Sequence, residues 1–195
     1  MNNNMAREHY EAYKRMLLKL HELDAQGKGQ TAEANKIRAE MELPERHLSP
    51  LEQERLDGLS GDLYMLVGEE VKEPADDTAT PFAFRDLLRS KQWDDLLSIL
   101  RKSNVPVQED ILACLRAVCW EALGDCDVSL LFVQHALKLQ PNNRNYRVLS
   151  VLNRLKLGVQ VDATELADIF IQGEQSEIRQ ILNESVQEID FLQPA

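Results

Sequence analysis

Three cysteines, four histidines and a large set of carboxylates are the groups in this 195-residue chain that could do covalent, metal or acid–base chemistry. Their spacing argues against most of it. Cys114 and Cys119 lie five residues apart on one expected helix, about 140° apart around its axis, so they do not share a metal. Cys126 lies beyond a turn, and no C-x-x-C occurs. His9, His21, His47 and His135 fall on four separate segments without an H-x-x-x-H pair, so the zinc and di-iron patterns are absent. There is no P-loop, no G-x-G-x-x-G and no G-x-S-x-G. Asp94-Asp95 and Asp125-x-Asp127 stand at expected helix starts, where carboxylates complement the helix dipole. The expectation is a protein that is not an enzyme and holds no cofactor and no catalytic or metal residues, with its thiols reduced in the core.

Charge narrows the partners. The 22 Lys+Arg and 33 Asp+Glu leave a formal net charge of −11. Residues 1–73 carry 10 basic and 15 acidic groups, residues 74–160 carry 11 and 10, and residues 161–195 carry 1 and 8. A polyanion would be repelled by both ends, so no nucleic acid is expected. Arg144, Arg147 and Arg154 share a helical face with Lys156 nearby, but no aromatics interleave with them, and a solvated outer face is expected. The uncharged stretch Val128–Leu137 is far short of the roughly 20 residues that span a bilayer, so no membrane segment is expected. The first residues, Met-Asn-Asn-Asn-Met-Ala-Arg-Glu, lack the apolar core of a signal peptide. With an odd number of cysteines, this points to a cytoplasmic protein.

The elements that must position these residues are helical throughout. Ala6, Tyr10, Tyr13, Leu17 and Leu20 step by three and four, an amphipathic helix over about 5–25 that Gly27 and Gly29 end. Ala34, Ile37 and Met41 share a face of a second helix, limited by Pro44, and the short connection predicts an antiparallel hairpin. Ser49, Pro50 and Glu52 predict the next helix start as a capping box, followed by Leu56, Leu59, Leu63 and Leu66. Gly58 and Gly61 lie inside that helix, where close contact with a neighbouring helix is the expected reason for them. Residues 67–80 are polar and aperiodic and read as a linker. Helices are then expected from Pro81, with Phe84, Leu87 and Leu88, and from Trp93, with Leu96, Leu97 and Leu100.

A period appears in the second half. Leu123-Gly124 recurs as Leu157-Gly158, 34 residues on, and Leu115, Ala117 and Val118 align with Leu149, Val151 and Leu152. Two helices per 34 residues mark a helical solenoid. The sequence over 110–143 resembles the tetratricopeptide repeat (TPR) family, with Ala117 and Trp120 on the first helix, a Gly124-Asp125 turn with Asp125 as N-cap, Ser129, Val133 and Ala136 on the second, and Pro141 closing the unit. Phe82–Ser103 reads as a shortened unit ended by Pro106. Downstream, Arg147 and Arg154 stand where apolar residues would pack, so residues from 144 on resemble a capping helix. Asp162 and Glu165 have capping-box spacing. Ile178, Ile181, Leu182, Val186 and Ile189 then form the apolar stripe of an acidic helix.

The expected fold class is all-α: a three-helix N-terminal unit over 1–66, a linker over 67–80, TPR-like repeats over 81–160 and C-terminal capping helices over 161–195. The resemblance implies a scaffold that binds another protein or peptide through a concave face. The groove residues it implies are Ile111, Cys114, Leu115, Val118 and Glu121 on one helix and Asn145, Val148, Leu149, Leu152 and Lys156 on the next. Cys114 and Val118 replace the basic and amide residues with which some TPRs clamp a terminal carboxylate, so an acidic C-terminal tail is not the expected ligand. An amphipathic helix, of a partner or of this chain's own C-terminus, suits the groove better. The alternative reading is a structural protein whose helices build a homodimer.

Overall fold

A computed structural model of the chain describes residues 3–66, 81–102 and 107–170. Among these the protein is all-helical, with nine helices and no strand. It divides into two compact units, residues 1–73 and 74–195. The expected linker 67–80 and the apolar stripe from Ile178 to Ile189 lie outside the described residues.

The first unit is built from α1 (Asn3–Ala25), α2 (Ala32–Glu45) and α3 (Pro50–Leu66), with α1 packed on both of the others. Gly27, at φ +70°, ends α1, because its lack of Cβ permits the left-handed turn. Thr31 caps α2 by accepting from the Ala34 amide. The stripe read from the sequence closes the core: Leu20, Leu23, Ala34 and Met41 are buried, with Tyr13, Leu17 and Ile37 packed against them. As expected, Pro44 limits α2, which ends at Glu45. It lies inside the helix, one residue from its end, where its missing N–H forfeits only a last-turn bond. The Ser49 box forms in both directions. The Ser49 amide donates to Glu52 Oε2 at 2.8 Å, and the Glu52 amide donates to Ser49 Oγ at 3.3 Å. Leu56, Leu59 and Leu63 are buried. Gly61 corrects an expectation: a Cβ there would meet nothing within 4 Å, so close helix contact is not what keeps it a glycine.

The second unit runs through α4 (Pro81–Ser90), α5 (Trp93–Lys102), α6 (Glu109–Ala122), α7 (Cys126–Leu139), α8 (Arg144–Lys156) and α9 (Ala163–Phe170), each packed on the next. The turns at the ends of α6 and α8 are the same object. In the first, Gly124 N donates to Glu121 O and Asp125 N to Trp120 O. In the second, Gly158 N donates to Leu155 O and Val159 N to Arg154 O. This is the paired C-terminal hydrogen-bond motif that needs a left-handed residue, and both glycines have positive φ. The end of α4 repeats it without a glycine: Lys91 N donates to Leu88 O, Gln92 N to Leu87 O, and Lys91 sits at φ 56°.

Small residues bring α6, α7 and α8 together. Ala117, Ser129 and Ala136 are fully buried, around Trp120 and Phe132. Ser129 does more than save space. Its hydroxyl donates to the Ala117 carbonyl at 2.6 Å and accepts from Asn153 Nδ2 at 2.8 Å, so one buried relay ties three helices. Arg116, also buried, donates to the Leu100 carbonyl on α5 at 2.8 Å. Asp125 occupies the N-cap position of α7, but its side chain makes no capping bond. Asp162 does cap α9, accepting from the Thr164 amide and hydroxyl, which hold its carboxyl below the usual range. Glu165 does not close the expected box. Its carboxylate forms a two-pronged pair with Arg154 at 2.9 and 2.7 Å. An ion pair thus stands between α8 and α9 where the repeat pattern would place apolar contact.

Candidate functional site

The residues singled out from the sequence lie on α6 and α8, and side chains link these helices at both ends. At the start, Tyr146 Oη donates to Asp110 Oδ2; at the finish, Lys156 Nζ pairs with Glu121 Oε1. The helices therefore run in the same direction, each packed on α7. Leu115, Val148 and Leu149 belong to the core, and their side chains are not available to a partner. Val148 and Val151 form a buried cluster on which Leu152, Val161 and Leu166 pack, so α9 and its approach cover part of the apolar face of α8. Ile111, Cys114, Val118 and Asn145 are half-buried. Of the basic residues on α8, Arg154 pairs with Glu165 and Lys156 with Glu121.

The thiols are poor nucleophiles. Burial, and then the neighbouring Asp110 carboxylate, push the Cys114 thiol up to about 12. Cys119 is fully buried, and burial also raises Cys126. All three are free of disulfides. Among the described residues, no group of three or more His, Cys, Asp or Glu could hold a metal, and no helix is long and apolar enough to cross a membrane.

Two features of the first unit were not read from the sequence. His9 and His47 stack with ring centroids 4.3 Å apart and planes 15° from parallel. Their separation by 38 positions hides this, because it depends on where α1 meets the end of α2. The second is a cavity of about 290 Å³ among the three helices. Leu17, Leu20, Met41 and Leu63 line it, and Tyr13, His21, Asp24, Arg38, Glu45, Ser60 and Tyr64 contribute polar groups. The only signal lay beside the stripes: His21, Asp24 and Tyr64 each follow a buried leucine, at the boundary between core and solvent faces. No family model, no curated protein and no solved structure matches the chain.

Proposed function

We propose that the second unit is a short TPR-like repeat module that binds a peptide or helix of another protein on the face shared by α6 and α8, acting as a scaffold and not as an enzyme. The observation that carries this reading is the even spacing of one turn in the second unit, a turn that also closes α1 at Gly27. Lys91, Gly124 and Gly158, 33 and 34 residues apart, are the left-handed residues of three helix ends closed by the same pair of backbone hydrogen bonds. The parallel course of α6 and α8 and the fully buried Ala117, Ser129 and Ala136 support it. Ile111 and Val118 leave part of their apolar surface for a partner's helix, and Cys114 and Val118 supply no anchor for a terminal carboxylate. Three free thiols favour a reducing, cytoplasmic setting.

A structural homo-oligomer is the second reading, favoured by Leu155, Leu157 and Val159, which are 46%, 42% and 47% exposed where α8 ends. Light scattering on the full chain over a concentration series separates the two. A monomer whose cross-linked partners from its native cell disappear with Val118→Lys, at unchanged helicity, supports the binding module. A tight dimer broken by Leu155→Glu favours the second reading, and partners indifferent to Val118→Lys overturn the first.

A further inference from the structure

We propose that the cavity of the first unit is a binding site for a primary ammonium group carried on an alkyl stem. The inference is independent of the repeat reading of the second unit. At about 290 Å³ the cavity falls just below the usual range of ligand pockets, roughly 300–1,000 Å³, so it suits a group the size of one long side chain. Leu20, Met41 and Leu63, all buried, are the apolar residues of the lining that the stem would meet. The charged head would meet two phenol rings, Tyr13 and Tyr64, and two carboxylates, Asp24 and Glu45. Aromatic faces and carboxylates both favour a cation.

The wall holds one permanent cation, Arg38, against the two carboxylates Asp24 and Glu45. Arg38 Nη1 donates to the Gly29 carbonyl at 2.8 Å and to Asn35 Oδ1 at 3.0 Å, which directs it to the α1–α2 turn. Burial lowers the pKa of His21, with Asp24 partly opposing, which favours the neutral ring. The Tyr13 hydroxyl is pushed up by burial and further by Glu45 and Asp57. The unit as a whole carries 10 basic against 15 acidic groups, which attracts a cation from a distance. Gly29 helps to seat Asp24: a Cβ at residue 29 would lie 1.7 Å from Asp24 Oδ1, so only glycine lets the carboxylate rest there.

The test is an NMR titration of the full-length chain, following the Tyr13 and Tyr64 ring resonances. The probes are hexylammonium chloride, 1-hexanol and sodium hexanoate. Hexylammonium is expected to shift both rings and to bind about tenfold tighter than hexanol, with hexanoate weakest. The double variant Asp24→Asn/Glu45→Gln should erase the preference for the cation while hexanol still binds, which shows the cavity intact. Gly29→Ala, which displaces Asp24 without removing its charge, should weaken hexylammonium more than hexanol. Acetyl-Gly-Lys-Gly-amide binding better than hexylammonium would assign the head group to a lysine of a protein partner, and the reverse to a free alkylamine. Equal affinity for hexanol, competition by hexanoate, or shifts that miss both tyrosines would overturn the proposal.

Discussion

The Tyr146 hydroxyl donates a hydrogen bond to Asp110 Oδ2 at 2.9 Å, in a buried position, and so joins the first turns of two helices 36 residues apart in sequence. Asp110 is a carboxylate with little water around it, and the phenol helps it to stay there. Burial first, and then this bond, push the Tyr146 hydroxyl well above its ordinary range. Tyr146→Phe should therefore cost about 1–3 kcal/mol, because it leaves a buried acceptor short of a donor. Urea unfolding followed by tryptophan fluorescence reads this directly, and a change within error would mean that Asp110 is satisfied without Tyr146.

The relay through Ser129 should behave as a unit. Ser129→Ala deprives the Asn153 amide of its acceptor inside the core and should cost about 1–3 kcal/mol. Asn153→Ala should cost a similar amount. The double variant should be less destabilised than the two single losses combined, since both remove one interaction. Strict additivity in the double-mutant cycle would contradict the relay.

Backbone conformation makes opposite predictions at chemically similar turns. Lys91 is a non-glycine residue in the left-handed region, so Lys91→Gly should stabilise the second unit by about 0.5–1 kcal/mol. Gly124→Ala, at φ +92°, should destabilise it by about 1 kcal/mol. Gly61 is helical with open space where a side chain would go, so Gly61→Ala should gain about 0.5–1 kcal/mol. Thermal melts of the three variants check the signs side by side.

Acid should weaken the first unit through His21. Burial lowers the pKa of this ring below its ordinary 6.5, with Asp24 only partly opposing. The folded state then binds its proton later than the unfolded state does. The contribution is fully present above pH 6.5 and is lost as pH falls from 6.5 to the lowered value. Denaturant midpoints measured between pH 7.5 and 5 should fall for the native chain, and His21→Leu should flatten that fall. An equal slope in both would place the acid sensitivity elsewhere.

The helices of this protein follow from local physics, and that is why they were legible. The periodic leucines of α1 and α3, the Ser49 capping box and the glycines at 27, 124 and 158 act within a few residues of themselves. The burial of Ala117, Ser129 and Ala136 was legible too, since small residues on apolar helix faces let neighbouring helices approach closely. What local pattern did not contain was the partner of each polar group. Glu165 has capping-box spacing, yet it turns to Arg154, because a two-pronged pair with a guanidinium outweighs a single helix-end amide. Gly61 looked like a contact and borders open space. The cavity of the first unit, the His9–His47 stack and the Tyr146–Asp110 bond all depend on distances between helices. Those distances are set by how whole faces of side chains interlock, a sum over many contacts that no single spacing in the chain encodes.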